Sequence, residues 1–153
     1  MAATHVRYEI DGWGVGEMWL DGDRLLLHEL PRAAGTAGVG SHALAGRIAR
    51  YFAGGADDFL DIELDLDGAT DFERSVTDAL RHVMRGETVT YGELAALSGH
   101  PNAQRAAGTF CAHNRFPIIV PCHRVVAAGG IGSYGSLGIE YKRRLLELEG
   151  VSL

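Results

Sequence analysis

The chain is poor in the features that would place a protein outside the cytoplasm or inside a bilayer. Its 153 residues hold two cysteines, Cys111 and Cys122. That is too few for a disulfide framework, so a reducing cytoplasm is the expected setting. No apolar run approaches the roughly 20 residues that a membrane-spanning helix requires. The stretch Met1 to Glu9 carries charge at Arg7 and Glu9 without an apolar segment between small residues, so it does not read as a signal peptide. Lysine is almost missing: Lys142 is the only one, and composition assigns it no role. At 46% hydrophobic and 22% charged residues, the sequence is that of a globular protein able to bury one good core or two small ones.

The net charge of −6 argues against a nucleic-acid partner until its distribution is considered. Residues 1–70 hold 5 arginines against 12 acids, a balance of −7, whereas residues 71–153 hold 9 cations against 8 acids, a balance of +1. Within 101–144, Arg105, Arg115, Arg124, Lys142, Arg143 and Arg144 face Glu140 alone, which makes that stretch +5. Phosphate attraction is screened over roughly 8–10 Å in physiological salt, so a local cluster outweighs the total. A solvated arginine face is the plainer explanation of the same residues.

Val6, Tyr8 and Ile10 alternate with polar residues, and Met18–Leu20 and Leu25–Leu27 form further strand-like runs around the turn Asp21-Gly22-Asp23. Ala33 to Gly40 is a Gly/Ala loop. His42 to Phe52 carries helical spacing at Leu44, Ile48 and Tyr51/Phe52. Leu60, Ile62, Leu64 and Leu66 alternate with Asp61, Glu63, Asp65 and Asp67, which predicts a strand with one buried and one acidic face. No chemistry is visible in this half, which reads as scaffold. The boundary falls near Gly68, giving an N-terminal domain over 1–68 and a C-terminal domain over 69–153.

Thr70-Asp71-Phe72-Glu73 is a capping box, and Phe72, Val76, Leu80 and Val83 predict a helix over 71–84. Thr90-Tyr91-Gly92-Glu93 is a second box, opening a short helix through Leu97. After the turn Ser98-Gly99-His100, Pro101 suits a first helical position. Ala103, Ala106, Ala107 and Phe110 then give the following helix a small-residue inner face. A short helix, a tight glycine turn and a small-faced helix form a helix-turn-helix pattern, which is common and by itself weak.

The informative stretch is Pro117-Ile118-Ile119-Val120-Pro121-Cys122-His123-Arg124-Val125-Val126. Three bulky aliphatics suggest a buried strand that stops at Pro121, which cannot donate a ladder hydrogen bond. Cys122 would then lie partly enclosed yet reachable. A thiol attacks as thiolate, and His123 and Arg124 are candidates to favour that form. Two other readings stay open at this level. Cys122 is a small buried hydrophobe, or it joins Cys111, His113 and His123 on a metal; the adjacency of Cys and His and the narrow spacing argue against zinc.

Pro121-Cys122-His123-Arg124-Val125 resembles the active-site signature of the alkylguanine-DNA alkyltransferases, or methylated-DNA–protein-cysteine methyltransferases. The likeness continues through Gly86-Glu87-Thr88-Val89-Thr90-Tyr91-Gly92-Glu93-Leu94-Ala95, Arg105-Ala106-Ala107-Gly108, Asn114, Gly129, Tyr134, Lys142, Leu145-Leu146 and Glu149-Gly150, covering residues 70–150. One departure is that the family usually has proline directly after this asparagine, whereas here Arg115-Phe116 stand between Asn114 and Pro117.

The resemblance implies an α+β fold: a small N-terminal β-sheet with a helix, packed on a C-terminal helix-turn-helix, winged-helix-like catalytic domain. It implies a monomer that binds double-stranded DNA containing alkylated guanine, approaches the minor groove, flips the base and takes its 6-alkyl group irreversibly onto Cys122. It assigns catalytic roles to Cys122 as nucleophile, to His123 (through a water) and Glu149 as proton relay, to Asn114 as brace of the neighbouring turn, and to Tyr91 as hydrogen-bond partner of guanine. DNA and base contacts fall to Arg105 as the finger replacing the flipped base, Tyr134 as a lid, and Tyr91, Arg124, Val125, Ala106 and Gly108. No cofactor and no metal are implied. A lesion-binding relative without chemistry and a winged-helix transcription factor are the competing classes; the first lacks the cysteine, and the second leaves the Cys-His-Arg string unexplained.

Overall fold

The computed structural model describes residues 3–33 and 40–153, and the Gly/Ala loop expected over 33–40 lies mostly outside them. The chain divides into two compact units: residues 1–65 together with Arg115–Pro117, and residues 66–114 together with 118–153. No helix among the described residues is long and apolar enough to cross a membrane.

The first unit is a four-stranded sheet in the order β1 (Thr4–Ile10), β2 (Gly14–Asp21), β3 (Arg24–Arg32) and β4 (Glu63–Leu64), with α1 (Ala43–Phe52) between β3 and β4 in sequence. The first three strands are antiparallel and β4 joins β3 in parallel. In this register Tyr8 faces Gly16, and a side chain at 16 would collide with the Tyr8 ring, so glycine lets the phenol cross the strand. Its hydroxyl reaches His28 Nε2 at 2.6 Å, while His28 Nδ1 meets the Pro117 carbonyl at 2.7 Å. A carbonyl only accepts, so Nδ1 carries the ring proton and Nε2 receives the phenol's. Burial holds the His28 pKa down to about 4, against the raising effect of the Pro117 carbonyl. The pair Arg115-Phe116 belongs here too: the Arg115 carbonyl accepts from His28 N at 2.9 Å, and its guanidinium donates to the Leu26 and Asp65 carbonyls.

The alternating run at 60–66 does not form the expected strand; only Glu63 and Leu64 pair. The side chains of Asp57 and Asp58 accept from the backbone of Phe59 and Leu60, and Ile62 N bonds the Phe59 carbonyl. These local bonds turn the chain before it can extend. Phe59, at φ +54°, fills the core in place of Leu60, which is exposed.

The second unit holds α2 (Asp71–Arg81), β5 (Val89–Thr90), α3 (Tyr91–Leu97), α4 (Gln104–Ala112), a 3-10 turn (Cys122–Arg124), β6 (Val125–Val126), a second 3-10 turn (Gly135–Leu137) and α5 (Ile139–Leu148). Both capping boxes form, with Thr70 and Thr90 each accepting from the N3 amide while Glu73 and Glu93 bond back to the cap. The first helix ends at Arg81, three residues earlier than expected, as His82 and Val83 donate to the Ala79 and Leu80 carbonyls and tighten the last turn. Similarly, α4 starts at Gln104 and not at Pro101: Asn102 takes φ +71°, a conformation asparagine tolerates better than most residues, and so forms a turn. Of the small residues expected to face inward, Ala107 is buried but Ala106 is exposed.

The aliphatic run before Cys122 is buried, but it is not a strand. Ile118 adopts φ +73°, and the segment folds as consecutive turns. Two local causes account for this: Asn114 Nδ2 occupies the Val120 carbonyl at 2.8 Å, and Pro121 has no amide hydrogen to offer. Regular pairing resumes only at β6, which runs parallel to β5 with Val89 opposite Val125 and Thr90 opposite Val126.

Candidate active site

Cys122 opens the 3-10 turn, its backbone N–H donating to the Val120 carbonyl at 2.8 Å. Its Sγ accepts from Asn114 Nδ2 at 3.2 Å. One Asn114 amide therefore holds both the Val120 carbonyl and the Cys122 sulfur. The cysteine is only 4% exposed, more enclosed than the sequence suggested. Burial, with a contribution from the neighbouring Cys111 thiol, raises the Cys122 pKa well above its ordinary value, while Asn114 and Lys142 pull it down. The resting group is a thiol, which needs a base to take its proton.

His123 and Glu149, the pair expected to form a proton relay, bond each other directly. Their side chains are wholly buried, and His123 Nε2 lies 2.6 Å from Glu149 Oε2. A carboxylate only accepts, so Nε2 holds the proton and Nδ1 presents its lone pair. Nδ1 is buried and has no hydrogen-bond partner among the described residues. Burial lowers the His123 pKa against the opposing pull of Glu149, so the ring is neutral at rest. Burial alone would raise the Glu149 pKa, yet its bonds to His123 and Arg124 hold the carboxyl well below the usual range.

Arg124 corrects an expectation. Its guanidinium is buried, donating to both Glu149 oxygens at 2.8 and 3.0 Å and to the Val83 carbonyl at 2.7 Å. It anchors the Glu149 carboxylate and is not presented to solvent, where the expected contact with DNA would need it. The +5 stretch is likewise no continuous basic face. Arg124 and Lys142 are buried, and Arg115 is committed to carbonyls of the first unit. Arg105 and Arg144 are exposed.

Lys142, given no role by composition, is wholly buried on α5. Its Nζ donates to the Val125 carbonyl at 2.5 Å and to the Ser133 carbonyl at 3.1 Å, and lies 5.9 Å from the Tyr91 ring centre. Burial lowers its pKa to about 8. It ties together the two segments that flank the site and is the cation that favours a Cys122 thiolate. Its signals in the sequence were its solitude and its place among the residues that carry the family resemblance.

Tyr91 is the first residue of α3, half-buried, and hydrogen-bonded to Ser133; burial foremost raises its pKa, so the phenol stays a donor. It lines a cleft of about 850 Å³ together with Arg105, Gly108, Thr109, His113 and Ser133, among others. That volume suits a small-molecule-sized guest. Cys122 is not part of the lining. Tyr134 is half-buried, its ring 6.4 Å from that of Tyr141, and burial followed by the nearby Cys122 raises its phenol pKa well above 10.0. Val125 is buried with its carbonyl on Lys142, and Ala106 is exposed on α4.

Residues 71–151, more than half of the chain, match the family described as 6-O-methylguanine DNA methyltransferase, DNA binding domain. The chain belongs to this family. A methylated-DNA–protein-cysteine methyltransferase of Mycobacterium tuberculosis is 53% identical over 100 residues, 65% of this chain and 59% of that protein. The match thus spans about three-fifths of the length of that mycobacterial relative. One from Methanopyrus kandleri is 44% identical over 110 residues, 71% of this chain and 80% of that protein. Among family structures, that of M. tuberculosis OGT in complex with DNA superposes with a TM-score of 0.79 at 37% identity, covering 95% of this chain and 91% of the other. The O6-methylguanine-DNA methyltransferase of Pyrococcus kodakaraensis gives a TM-score of 0.74 at 31% identity, covering 97% and 99%. The α+β fold is the one these family structures share.

Proposed function

We propose that the protein repairs DNA by moving the alkyl group from the 6-oxygen of guanine onto Cys122, once per molecule. The observation that carries the reading is the buried sulfur held by Asn114 beside a His123–Glu149 pair whose free Nδ1 can accept a proton. His123 takes the thiol proton through an intervening water. The sulfur attacks the alkyl carbon, the carbon–oxygen bond breaks, and guanine leaves with the electron pair. Tyr91 donates a hydrogen bond that stabilises the charge developing on the base, and the proton removed from the thiol ends on guanine. The product is a thioether, which no group in the site can hydrolyse. The step needs the chain's own side chains, the bridging water and the damaged base.

A base inside a duplex cannot meet this sulfur, so it must rotate out, at a cost of a few kcal/mol. The cleft beside α3 and α4 is where it enters, with Arg105 filling the gap it leaves and Ala106 and Gly108 against the minor groove. Since Cys122 is not part of the cleft lining, the Tyr91–Ser133 contact or the Tyr134 segment must give way for the base to reach it. Residues 69–153 carry binding and transfer, and residues 1–68 act as scaffold. The protein works as a monomer in the reducing cytoplasm.

Duplex DNA carrying O6-methylguanine tests the reading directly. The intact protein should gain the mass of one methylene, on Cys122, with a stoichiometry of one. Lesion binding without a mass change would make the protein a binding module. The finger role has its own test: Arg105→Ala should slow methyl uptake from duplex by about 10-fold or more, reflecting the lost help in unstacking, and change uptake from a free modified base by less than about twofold. Equal losses on both substrates would remove the role.

A further inference from the structure

The segment Arg115–Pro117 belongs to the first unit by its contacts, yet in the chain it stands between Asn114 and Ile118 of the second. His28, on β3, holds this strap at both ends: its backbone N–H donates to the Arg115 carbonyl at 2.9 Å, and its ring Nδ1 donates to the Pro117 carbonyl at 2.7 Å. The Arg115 guanidinium adds bonds to the Leu26 and Asp65 carbonyls at 3.1 and 2.6 Å, and Phe116 is buried. On one side of the strap is Asn114, whose Nδ2 holds the Val120 carbonyl and Cys122 Sγ. On the other is Ile118 at φ +73°, a conformation that a β-branched residue keeps only where its surroundings impose it. The Pro117 carbonyl is part of the peptide unit that enters Ile118, so the His28 ring bond fixes the plane from which that φ is turned.

We propose that His28 is a positioning residue for the transfer: by its ring bond to Pro117 it holds the strap, and so keeps the Asn114 amide on the Cys122 sulfur. Without that bond the Pro117–Ile118 peptide can rotate to relieve Ile118, and the strap shifts together with Asn114, its immediate neighbour. The Cys122 sulfur then loses an N–H donor, and with it a group that favours the thiolate. Tyr8 serves the other end of the ring, its hydroxyl donating to Nε2 at 2.6 Å, and makes no part of the hold on Pro117. In its consequence for methyl uptake this role rests on the proposed transfer; in its consequence for the reactivity of Cys122 it does not.

Two amides separate the ends of the ring. Asparagine at 28 places an N–H near the position of Nδ1, towards Pro117; glutamine, one carbon longer, places its polar end near that of Nε2, towards Tyr8. Iodoacetamide is the probe, applied to the whole protein well below each variant's melting temperature, with the product localised to Cys122 by fragment mass spectrometry. In His28→Gln the midpoint of the Cys122 alkylation profile should rise by about one pH unit, which leaves about tenfold less thiolate at any pH below it. Methyl uptake at saturating duplex should fall by about the same tenfold, with the Kd for duplex changed by less than about twofold. His28→Asn should return the uptake rate to within about threefold of the parent and the midpoint to within about half a unit. Tyr8→Phe, which keeps Nδ1 on Pro117, should lower the melting temperature and leave the midpoint in place. Arg115→Ala removes two of the strap's bonds from an exposed side chain, outside the buried cluster, and should move the midpoint upward by a smaller step. The charges that act on Cys122, those of Cys111 and Lys142, are the same in every variant. A midpoint unmoved in both His28→Gln and Arg115→Ala overturns the proposal, as does a shift in Tyr8→Phe equal to that in His28→Gln. A parent that takes up no methyl would sink the transfer reading, and the alkylation midpoint would still decide the role of His28.

Discussion

Cys122→Ser should leave the protein folded and abolish methyl uptake. The serine hydroxyl fits the space of the thiol and can accept the same hydrogen bond from Asn114, which reaches Sγ at 3.2 Å. Its effect on stability should stay within about 1 kcal/mol, in the range of conservative buried changes. The chemistry differs altogether. Burial already holds the thiol well above its ordinary pKa, and a hydroxyl in the same place is far harder to ionise by a neutral imidazole. It is also a poorer nucleophile towards an alkyl carbon. Loss of the reacting atom elsewhere costs on the order of 10⁶-fold, and a fall of about 10⁴-fold or more is expected here. Intact mass spectrometry after exposure to methylated duplex reads the outcome, with the melting temperature as control. A methyl group found on the serine variant would point to a second acceptor, with Cys111 the first to check.

Glu149→Gln should damage both stability and rate. The carboxylate receives His123 Nε2 at 2.6 Å and the Arg124 guanidinium at 2.8 and 3.0 Å, all out of water. Glutamine removes the charge and leaves Arg124 buried without a counter-ion, which typically costs about 3–5 kcal/mol. For a chain of this size that corresponds to a melting temperature lower by roughly 6–20 °C. His123 loses the group that fixes its tautomer, so Nδ1 no longer reliably presents a lone pair. A fall of about 10²–10⁴-fold in transfer follows by analogy with other oriented imidazole bases. Adding Arg124→Leu to Glu149→Gln separates the two effects: stability should recover in part and the rate should not. Recovery of the rate would mean that the carboxylate acts only by keeping the fold.

The same network sets a pH dependence. Glu149 has a folded pKa below its ordinary 4.5, so its stabilisation is fully present above that value and drains away as the pH falls towards the folded one. His123 and His28 are held neutral, below their ordinary 6.5, so the unfolded chain takes up protons that the folded one refuses as soon as the pH drops below that value. All three push the same way: stability declines from about pH 6.5 downward. In Glu149→Gln the part of the decline below 4.5 should flatten.

What was legible in the sequence is what depends on near neighbours. The boxes at Thr70 and Thr90 declare themselves within four residues, and the hairpin around Gly22 does so through its turn. The Cys122 string was specific enough to name a family. What escaped is set by partners far along the chain or by backbone the side-chain pattern does not encode. The alternation over 60–66 is perfect for a strand, but two aspartates spend the local amides in turns and Phe59 takes the core position. The run Ile118-Ile119-Val120 is as apolar as any buried strand, but Asn114 and Pro121 deny it pairing. Arg124 and Lys142 look like surface cations until Glu149, 25 residues away, and the Val125 and Ser133 carbonyls claim them.

The seclusion of Lys142 has a practical corollary. In the folded state no lysine amine is offered to solvent, and the single one is wholly buried with a pKa near 8. Acylating reagents that tag lysines will therefore pass over that side chain until the walls between Tyr91 and Ser133 part. At that moment the amine becomes accessible, and as water reaches it the burial that lowered its pKa is relieved. Its labelling rate is a built-in clock for the opening through which a base would enter.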